Sequence, residues 1–327
     1  MTSTSPSASA STSTSPSPSP SRSASTTRTH RAAVVRTPGG PDSVEIVDVP
    51  VREPGPGQVL VAIEAAPVNP VDLATAEGVF HRMGLVHQPH HTGLGAEFAG
   101  TVAATGPGVD LPVGTRVAGL LGGFDRDRGA HAEQVVASAA DLAVVPGELD
   151  PATASVVALN GLTAAQIADL LGEGGGRRLL VTGAAGTVGG YVTTLALTRG
   201  WRVTGLARPA DEAFVRGTGA EFTAAAEPGW DAVADCAALL DEAVALVAEG
   251  GVFVGVRPGF VPAGPGKITA HAVEVHPDPA TLTHLLALAA TGELPARVHA
   301  VVPLDQAAAA YRAVAAGGVR GKYVLRP

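Results

Sequence analysis

The 327-residue sequence predicts an α/β protein that combines an all-β, barrel-like domain with a doubly wound parallel sheet. Three observations predict this fold class. Short β-like runs separated by Gly and Pro occupy the first part of the chain, and strands alternate with helices after residue 150. The 41 Gly and 26 Pro residues favour many tight turns between short elements.

The composition is that of a globular protein and excludes several functional classes. Hydrophobic residues make up 46% of the chain, and since aromatics are only 4%, Val, Leu and Ala must fill the core. The net charge of −8 disfavours a nucleic-acid partner. One cysteine, Cys236, permits neither a disulfide framework nor a cysteine-built zinc site within one chain. We expect a cytoplasmic protein that acts on a small molecule.

Two segments bear on localisation. Residues 1–30 are rich in Ser, Thr and Pro and have no large apolar stretch, so they predict a disordered tail. A transit peptide is the alternative, although the prolines disfavour an amphipathic helix. Residues 179–198 carry no charge and are about long enough to span a bilayer. Their Gly and Thr content favours a strand, a turn and a helix, and therefore no membrane partner.

The first predicted domain covers residues 31–150. Its β-like runs are short and evenly spaced, as in a barrel. They comprise residues 44–49, 59–65, 98–104, 116–120 and 132–136.

The second predicted domain covers residues 151–292. It opens with a helix over 151–171, for which Asp150 is a suitable N-cap and Pro151 a suitable first residue. Short apolar strands then alternate with helices, which is typical of a parallel sheet covered on both faces. The predicted strands are 178–182, 202–206, 231–235 and 252–256, and the predicted helices are 188–198, 210–216 and 239–248. Residues 293–327 are predicted to rejoin the first domain.

A glycine-rich turn between a strand and a helix is the strongest chemical signal. The strand ending at Thr182 runs into a G-x-G-x-x-G-like motif with alanine at its first position. Gly186 allows the backbone to approach a diphosphate, and Gly189 allows the helix to pack closely on the strand. The free N–H groups of the helix N-terminus attract phosphate. The predicted dinucleotide-binding residues of this turn are Gly183, Ala184, Ala185, Gly186, Thr187, Val188 and Gly189. A turn that binds nothing is the alternative.

The next strand indicates which dinucleotide binds. An NAD site usually has an acid about twenty residues after the glycine-rich turn, to bind the ribose hydroxyls. Here the strand 202–206 is followed by Ala207 and Arg208 instead. Because an arginine can pair with a 2′-phosphate, Arg208 favours NADPH, unless it is an ordinary solvated residue.

Several further motifs, in order along residues 32–327, carry a family resemblance. They are 68–72 (VNPVD), 95–100 (GAEFAG), 114–117 (GTRV), 129–133 (GAHAE), 160–164 (NGLTA), the glycine-rich turn and 321–325 (GKYVL). With these motifs the chain resembles the zinc-independent medium-chain dehydrogenase/reductases of the quinone oxidoreductase, ζ-crystallin-like type. The resemblance implies a GroES-like β-barrel domain, a Rossmann domain, an active site in the cleft between them, and a homodimer.

The resemblance also implies roles for particular residues. It places Asn69, Asp72 and Asn160 near the nicotinamide as catalytic residues, and it places Thr163 there as a cofactor-binding residue. It further places Gly255 and Val256 near the carboxamide and Lys322 near the phosphates. Other interpretations remain open, because Asn-Pro and Asn-Gly are common turn signals and Asp72 can cap a helix.

The resemblance has one marked departure, at the metal site. Zinc-bearing relatives have metal ligands where this chain has Asn69, Ala96 and Asn160. Because a catalytic zinc needs about three protein ligands, we expect no metal here. The loop containing His81, His87, His90 and His91 has no metal-ligand spacing and is interpreted as solvated or as a pocket rim.

Without a Lewis acid, alcohol oxidation is difficult. The expected reaction is hydride transfer from NADPH to a quinone or an activated alkene, with developing charge met by Asn69 or backbone N–H groups. No general acid is evident, so water is the expected proton source. The alternatives are an enoyl-thioester reductase and a non-catalytic NADPH-binding protein.

Overall fold

A computed structural model describes residues 1–5, 28–264 and 266–327. Most of the predicted N-terminal tail lies outside these residues. Its predicted boundary at residue 30 is wrong, because the first strand begins at Thr29 and His30 is buried within it. Thr29 pairs with Pro50 in an antiparallel ladder, and Arg28 accepts a hydrogen bond from the Val51 N–H. Backbone pairing with a distant segment orders these residues despite their polar composition.

The first half of the described chain is built from strands. Its elements are β1 (Thr29–Val35), β2 (Glu45–Pro50), β3 (Gln58–Pro67), α1 (Pro70–Ala76), α2 (Val79–Arg82), β4 (Thr92–Gly93), β5 (Glu97–Thr105), β6 (Arg116–Leu120), β7 (Gln134–Ser138) and β8 (Leu142–Val144). Strands β2, β1 and β4 form a small sheet, while β3, β5, β6 and β8 follow one another in a larger antiparallel sheet, with β7 paired to β3. Alternating residues of β3, β5 and β7 meet in an apolar core.

The second half alternates helices and strands. Its elements are α3 (Pro151–Leu171), β9 (Arg178–Thr182), α4 (Thr187–Thr198), β10 (Arg202–Leu206), α5 (Glu212–Gly217), β11 (Glu221–Thr223), β12 (Trp230–Asp235), α6 (Asp241–Val244), β13 (Val247–Gly255), β14 (Thr269–Ala272), α7 (Pro279–Thr291), β15 (Val298–Pro303), α8 (Ala307–Ala316) and β16 (Lys322–Arg326). Six parallel strands follow the order β11-β10-β9-β12-β13-β14. This is the doubly wound order, and it confirms the predicted fold class.

One predicted helix, over residues 239–248, is wrong. Only the single turn α6 forms there, and β13 begins at Val247. Val247 is buried against Leu180, Val233 and Phe253, so packing in the sheet outweighs local helix propensity. Strands β11 and β14, which extend the sheet at its two edges, were not predicted.

The C-terminal segment returns to the larger antiparallel sheet. Strand β16 pairs with β3, with Val324 opposite Pro67, and β15 lies parallel to β16. Helix α3 packs against β3 and β5 of the first half and against α4 and α7 of the second. Among the described residues, α3 is the single helix with the length and apolarity of a membrane span, and 78% of its most apolar window is buried in the fold. Because α3 packs against elements of both halves, it contributes to a core that the two halves share.

Candidate active site

The start of α1 places two of the predicted catalytic residues. Asn69 is the N-cap residue, and its backbone N–H donates a 2.8 Å hydrogen bond to Oδ2 of Asp72. Both side chains are buried. Asp72 thus stabilises the first turn of α1 from its third helical position, as in a capping box. The interpretation of Asp72 as the residue that precedes and caps a helix is therefore wrong, because α1 begins at Pro70 and Asn69 is its N-cap.

Glu97, at the start of β5, is the centre of a buried polar cluster that the sequence did not single out. Its Oε1 accepts 2.8 Å hydrogen bonds from Nδ2 of Asn69 and from Nδ2 of Asn160. Its Oε2 accepts from the backbone N–H of Leu159. Asn160 also donates to Oδ1 of Asn69, at 3.2 Å. Glu97 is fully buried, and burial raises its pKa to about 7.

The amide hydrogens of both asparagines are engaged in this arrangement. Nδ2 of Asn69 donates to Glu97 and, at 3.3 Å, to the carbonyl of Pro67. Nδ2 of Asn160 donates to Glu97 and to Asn69. The expectation that Asn69 donates to developing substrate charge therefore does not fit this geometry, because a side-chain amide has only two hydrogens.

Lys322, the first residue of β16, is close enough to this cluster for its carboxylates to act on the lysine amine. Burial lowers the pKa of its amine, whereas the nearby carboxylates Glu97 and Asp72 oppose that shift. The amine therefore lies within electrostatic reach of two buried carboxylates, and its place near the phosphates stays a prediction. The family motif could not reveal this, because Glu97 and Lys322 are brought together only by the pairing of β16 with β3.

Thr163 lies one turn after Asn160 on α3 and is also buried. Its Oγ1 donates a 2.7 Å hydrogen bond to the carbonyl of Leu159 in the preceding turn. The same helix therefore orients both predicted residues, and Leu159 links them through its carbonyl to Thr163 and its N–H to Glu97.

The glycine-rich turn joins β9 to α4. Gly183 has φ +59°, which favours glycine, whereas Gly186 has φ −77° and needs no special conformation. A Cβ at Gly186 would meet only the Gly183 carbonyl, at 3.1 Å, while one at Gly189 would overlap the backbone of Gly183. The N-cap residue Gly186 has no side chain to cap α4, so the first N–H groups remain available. These residues fit a phosphate-bearing ligand.

The carboxyl ends of β9, β12 and β13 lie at one edge of the parallel sheet. Thr182 donates a 2.7 Å hydrogen bond to Oδ1 of Asp235, whose carboxylate also accepts from the N–H groups of Leu239 and Leu240. Gly255 pairs with Asp235 in the ladder, and the Val256 N–H donates to its carbonyl. The expected cofactor residues Gly255 and Val256 therefore lie at the same sheet edge as the glycine-rich turn, one strand away from it. Asp235 was not predicted as a residue of this site, although an acidic residue at the carboxyl end of a strand is a signal for such a role.

Arg208 follows β10 at this edge, but it already has a partner. Its Nε donates a 2.7 Å hydrogen bond to Oδ2 of Asp211, and Arg320 lies 3.0 Å from Oδ1 of the same carboxylate. Asp211 is buried, while both arginine side chains are at least half exposed. A buried acid thus holds two arginines at the end of β10, and the second one comes from the loop before β16.

The four-histidine loop does not assemble as a metal site. His81 contacts the Thr92 hydroxyl through Nε2 at 3.0 Å, and His87 pairs with Asp125 at 3.2 Å. Within residues 1–5, 28–264 and 266–327, no group of three or more His, Cys, Asp or Glu side chains is placed to hold a metal ion.

Two family comparisons cover most of the chain between them. Residues 55–147 match the family described as "Alcohol dehydrogenase GroES-like domain", and residues 208–325 match the family described as "Zinc-binding dehydrogenase". Asn69 and Ala96 lie in the first range and Asn160 in neither, so the second match does not include the positions at which zinc ligands were considered.

Comparisons with individual proteins agree with these matches. A chloroplastic quinone-oxidoreductase homologue of Spinacia oleracea is 32% identical over 190 residues, which are 56% of each chain. The chain spans about half the length of the first curated relatives it matches.

Two solved structures match almost the whole chain. An alcohol dehydrogenase superfamily protein of Novosphingobium aromaticivorans is 30% identical, with TM-score 0.77, over 91% of this chain and 99% of that one. The quinone oxidoreductase of Coxiella burnetii is 25% identical, with TM-score 0.80, over 92% and 100%.

Proposed function

The chain belongs to the medium-chain dehydrogenase/reductase family and is an oxidoreductase resembling the quinone oxidoreductases, and from this premise we propose that it reduces quinones or activated alkenes with NADPH and without zinc. The observation that carries the proposal is the buried cluster of Asn69, Glu97 and Asn160. The three side chains form hydrogen bonds with one another at the place where the zinc-bearing relatives were expected to hold their metal.

The hydrogen bonds within this cluster limit the type of substrate that can be reduced. The amide hydrogens of Asn69 and Asn160 are committed to Glu97 and its neighbours, so they offer no strong electrophile to a carbonyl oxygen. An unactivated ketone or an alkoxide needs such help. A quinone or a conjugated carbonyl accepts a hydride with less stabilisation, and backbone N–H groups together with water would supply what remains.

The cofactor part of the proposal depends on the glycine-rich turn and on Arg208. The free N–H groups at the start of α4 bind phosphate, and Arg208 is the charged group after β10 that would meet a 2′-phosphate. When bound, NADPH supplies the hydride. The residues of this chain hold the dinucleotide at the sheet edge formed by β9, β12 and β13.

The proposal is tested by steady-state oxidation of NADPH with a panel of quinones, enones and enoyl thioesters, in buffer with a chelator. We expect turnover with quinones or enones that chelation does not reduce. Turnover restricted to enoyl thioesters would identify a thioester reductase instead. NADPH binding without turnover on any acceptor would identify a non-catalytic binding protein. A cytoplasmic homodimer, without nucleic-acid or membrane partners, remains part of the proposal.

A further inference from the structure

Arg297, in the segment between α7 and β15, lies against the glycine-rich turn. Its Nη1 donates hydrogen bonds to the carbonyls of Ala185 and Gly186, at 2.8 and 2.7 Å. Its guanidinium stacks on the Phe214 ring, 3.9 Å from the ring centroid. The residue comes from the segment that returns to the antiparallel sheet, whereas the turn belongs to the parallel sheet. It therefore reaches the turn from outside the Rossmann strand-turn-helix unit.

The first turn of α4 is shaped to receive this side chain. A Cβ at Gly190 would overlap the guanidinium, at Nη2. Glycine inside a helix costs about 1 kcal/mol relative to alanine, so its presence indicates another requirement. Gly190 is not needed for the strand-turn-helix packing, which Gly189 provides. The space it leaves is occupied by Arg297.

The charge of Arg297 has no acidic partner in the described part of the chain. No carboxylate there lies within ion-pair distance of it, and its Nε and Nη2 are buried without a hydrogen-bond acceptor. Its pKa is lowered to about 10, mainly by desolvation, and the charge of nearby Arg320 contributes to the lowering. The positive end of the α4 dipole is an unfavourable neighbour for a cation. An anion bound at this turn would satisfy both donors and relieve the repulsion.

We propose that Arg297 is the arginine that binds the diphosphate of the dinucleotide, reaching the start of α4 from the segment that returns to the antiparallel sheet. This inference deepens the proposed function and rests on it. Nε and Nη2 form one edge of the guanidinium, the edge that engages two phosphate oxygens side by side. Arg208 has a separate task at the 2′-phosphate. Two arginines then divide the phosphates of NADPH between them.

The test measures dissociation constants of NADPH, NADH and 2′-AMP by calorimetry for the wild type, Arg297→Met and Arg297→Lys. The first two ligands contain the diphosphate, while 2′-AMP contains only the 2′-phosphate. We expect Arg297→Met to weaken NADPH and NADH alike, by about ten- to hundredfold, and to leave 2′-AMP unchanged. Arg297→Lys keeps the charge but lacks the fork and should recover part of the loss. Arg199→Met, at the other end of α4, is the control and should change none of the three.

A second variant and the thermal transition of the ligand-free protein separate binding from structure. Gly190→Ala should displace Arg297 and weaken both dinucleotides as Arg297→Met does. Neither substitution should lower the thermal transition much, because the loss of the two carbonyl hydrogen bonds and of the Phe214 contact is offset by relief of a guanidinium desolvated without a counter-ion. Unchanged dinucleotide affinities in Arg297→Met would overturn the inference, as would a loss confined to NADPH or a loss for all three ligands together with a lowered transition. A wild type that binds none of the three ligands would overturn the proposed function itself.

Discussion

The side chains of Asn69 and Asn160, 91 positions apart, are joined by a 3.2 Å hydrogen bond from Nδ2 of Asn160 to Oδ1 of Asn69. Each also donates to the same oxygen of Glu97. The bond links the N-cap of α1 to the middle of α3. The two elements that bear the predicted catalytic residues are therefore held together by one buried carboxylate.

Glu97→Ala should destabilise the protein by about 3–5 kcal/mol, because it leaves buried amide hydrogens without acceptors and the amine of Lys322 without its principal counter-charge. Urea denaturation at neutral pH measures the change. Glu148→Ala is the control, since Glu148 is exposed and should shift the free energy of unfolding by less than about 0.5 kcal/mol. Equal effects of the two substitutions would show that the cluster does not hold the fold.

The free energy of unfolding should carry a pH dependence from Glu97. Burial raises its pKa from 4.5 to about 7 in the folded state, so the folded protein keeps this proton where the unfolded chain has released it. The contribution of Glu97 to stability is therefore greatest below pH 4.5 and falls as the pH rises towards 7. Subtracting the pH profile of the unfolding free energy of Glu97→Gln from that of the wild type cancels the contributions of the other titratable groups. Parallel profiles between pH 5 and 8 would contradict the raised pKa.

Gly186→Val should abolish NADPH binding and leave the thermal transition nearly unchanged. The φ of Gly186 suits any residue, and a Cβ there meets only one carbonyl, so the added side chain occupies the space that the diphosphate needs. Gly189→Val is the comparison, because its Cβ overlaps the backbone of Gly183 and should destabilise the fold as well. Fluorescence titration and thermal unfolding of both variants are the measurements. Unaltered NADPH affinity in Gly186→Val would place the phosphates elsewhere.

Arg208→Ala should weaken NADPH by about ten- to hundredfold and leave NADH nearly unaffected, because a charge-assisted contact with phosphate contributes about 1.5–3 kcal/mol. Arg202→Ala is the control, since Arg202 is exposed at the opposite end of β10. Asp211→Asn should strengthen NADPH binding, because Asp211 now holds Arg208. Equal weakening of both dinucleotides in Arg208→Ala would refute the assignment.

The purified protein should contain much less than one zinc per chain after treatment with a chelator. Asn69, Ala96 and Asn160 are poor zinc ligands, and the two asparagines are occupied with Glu97. The zinc content of protein from zinc-supplemented cultures is measured by elemental analysis, and NADPH oxidation is measured before and after chelation. About one zinc per chain that survives chelation would contradict this prediction.

The sequence by itself determined the fold class and the position of the glycine-rich turn. Both depend on local patterns, namely alternating short apolar strands and helices and a glycine motif between a strand and a helix. The local pattern predicted the wrong element where tertiary packing determines the structure. At residues 239–248, for example, Val247 joins the sheet instead of extending a helix. It failed again at Thr29, which is ordered by pairing with Pro50.

Only the tertiary structure decided which residues share a site. Lys322 comes near Glu97 because β16 returns to pair with β3, and Arg297 reaches the glycine-rich turn because its segment passes beside α4 on the way to β15. These contacts join residues more than a hundred positions apart, and no local periodicity carries that information. The charge of a buried group depends on neighbours that the chain path brings together. The roles of Asn69, Lys322 and Arg297 could therefore be argued only once that path was known.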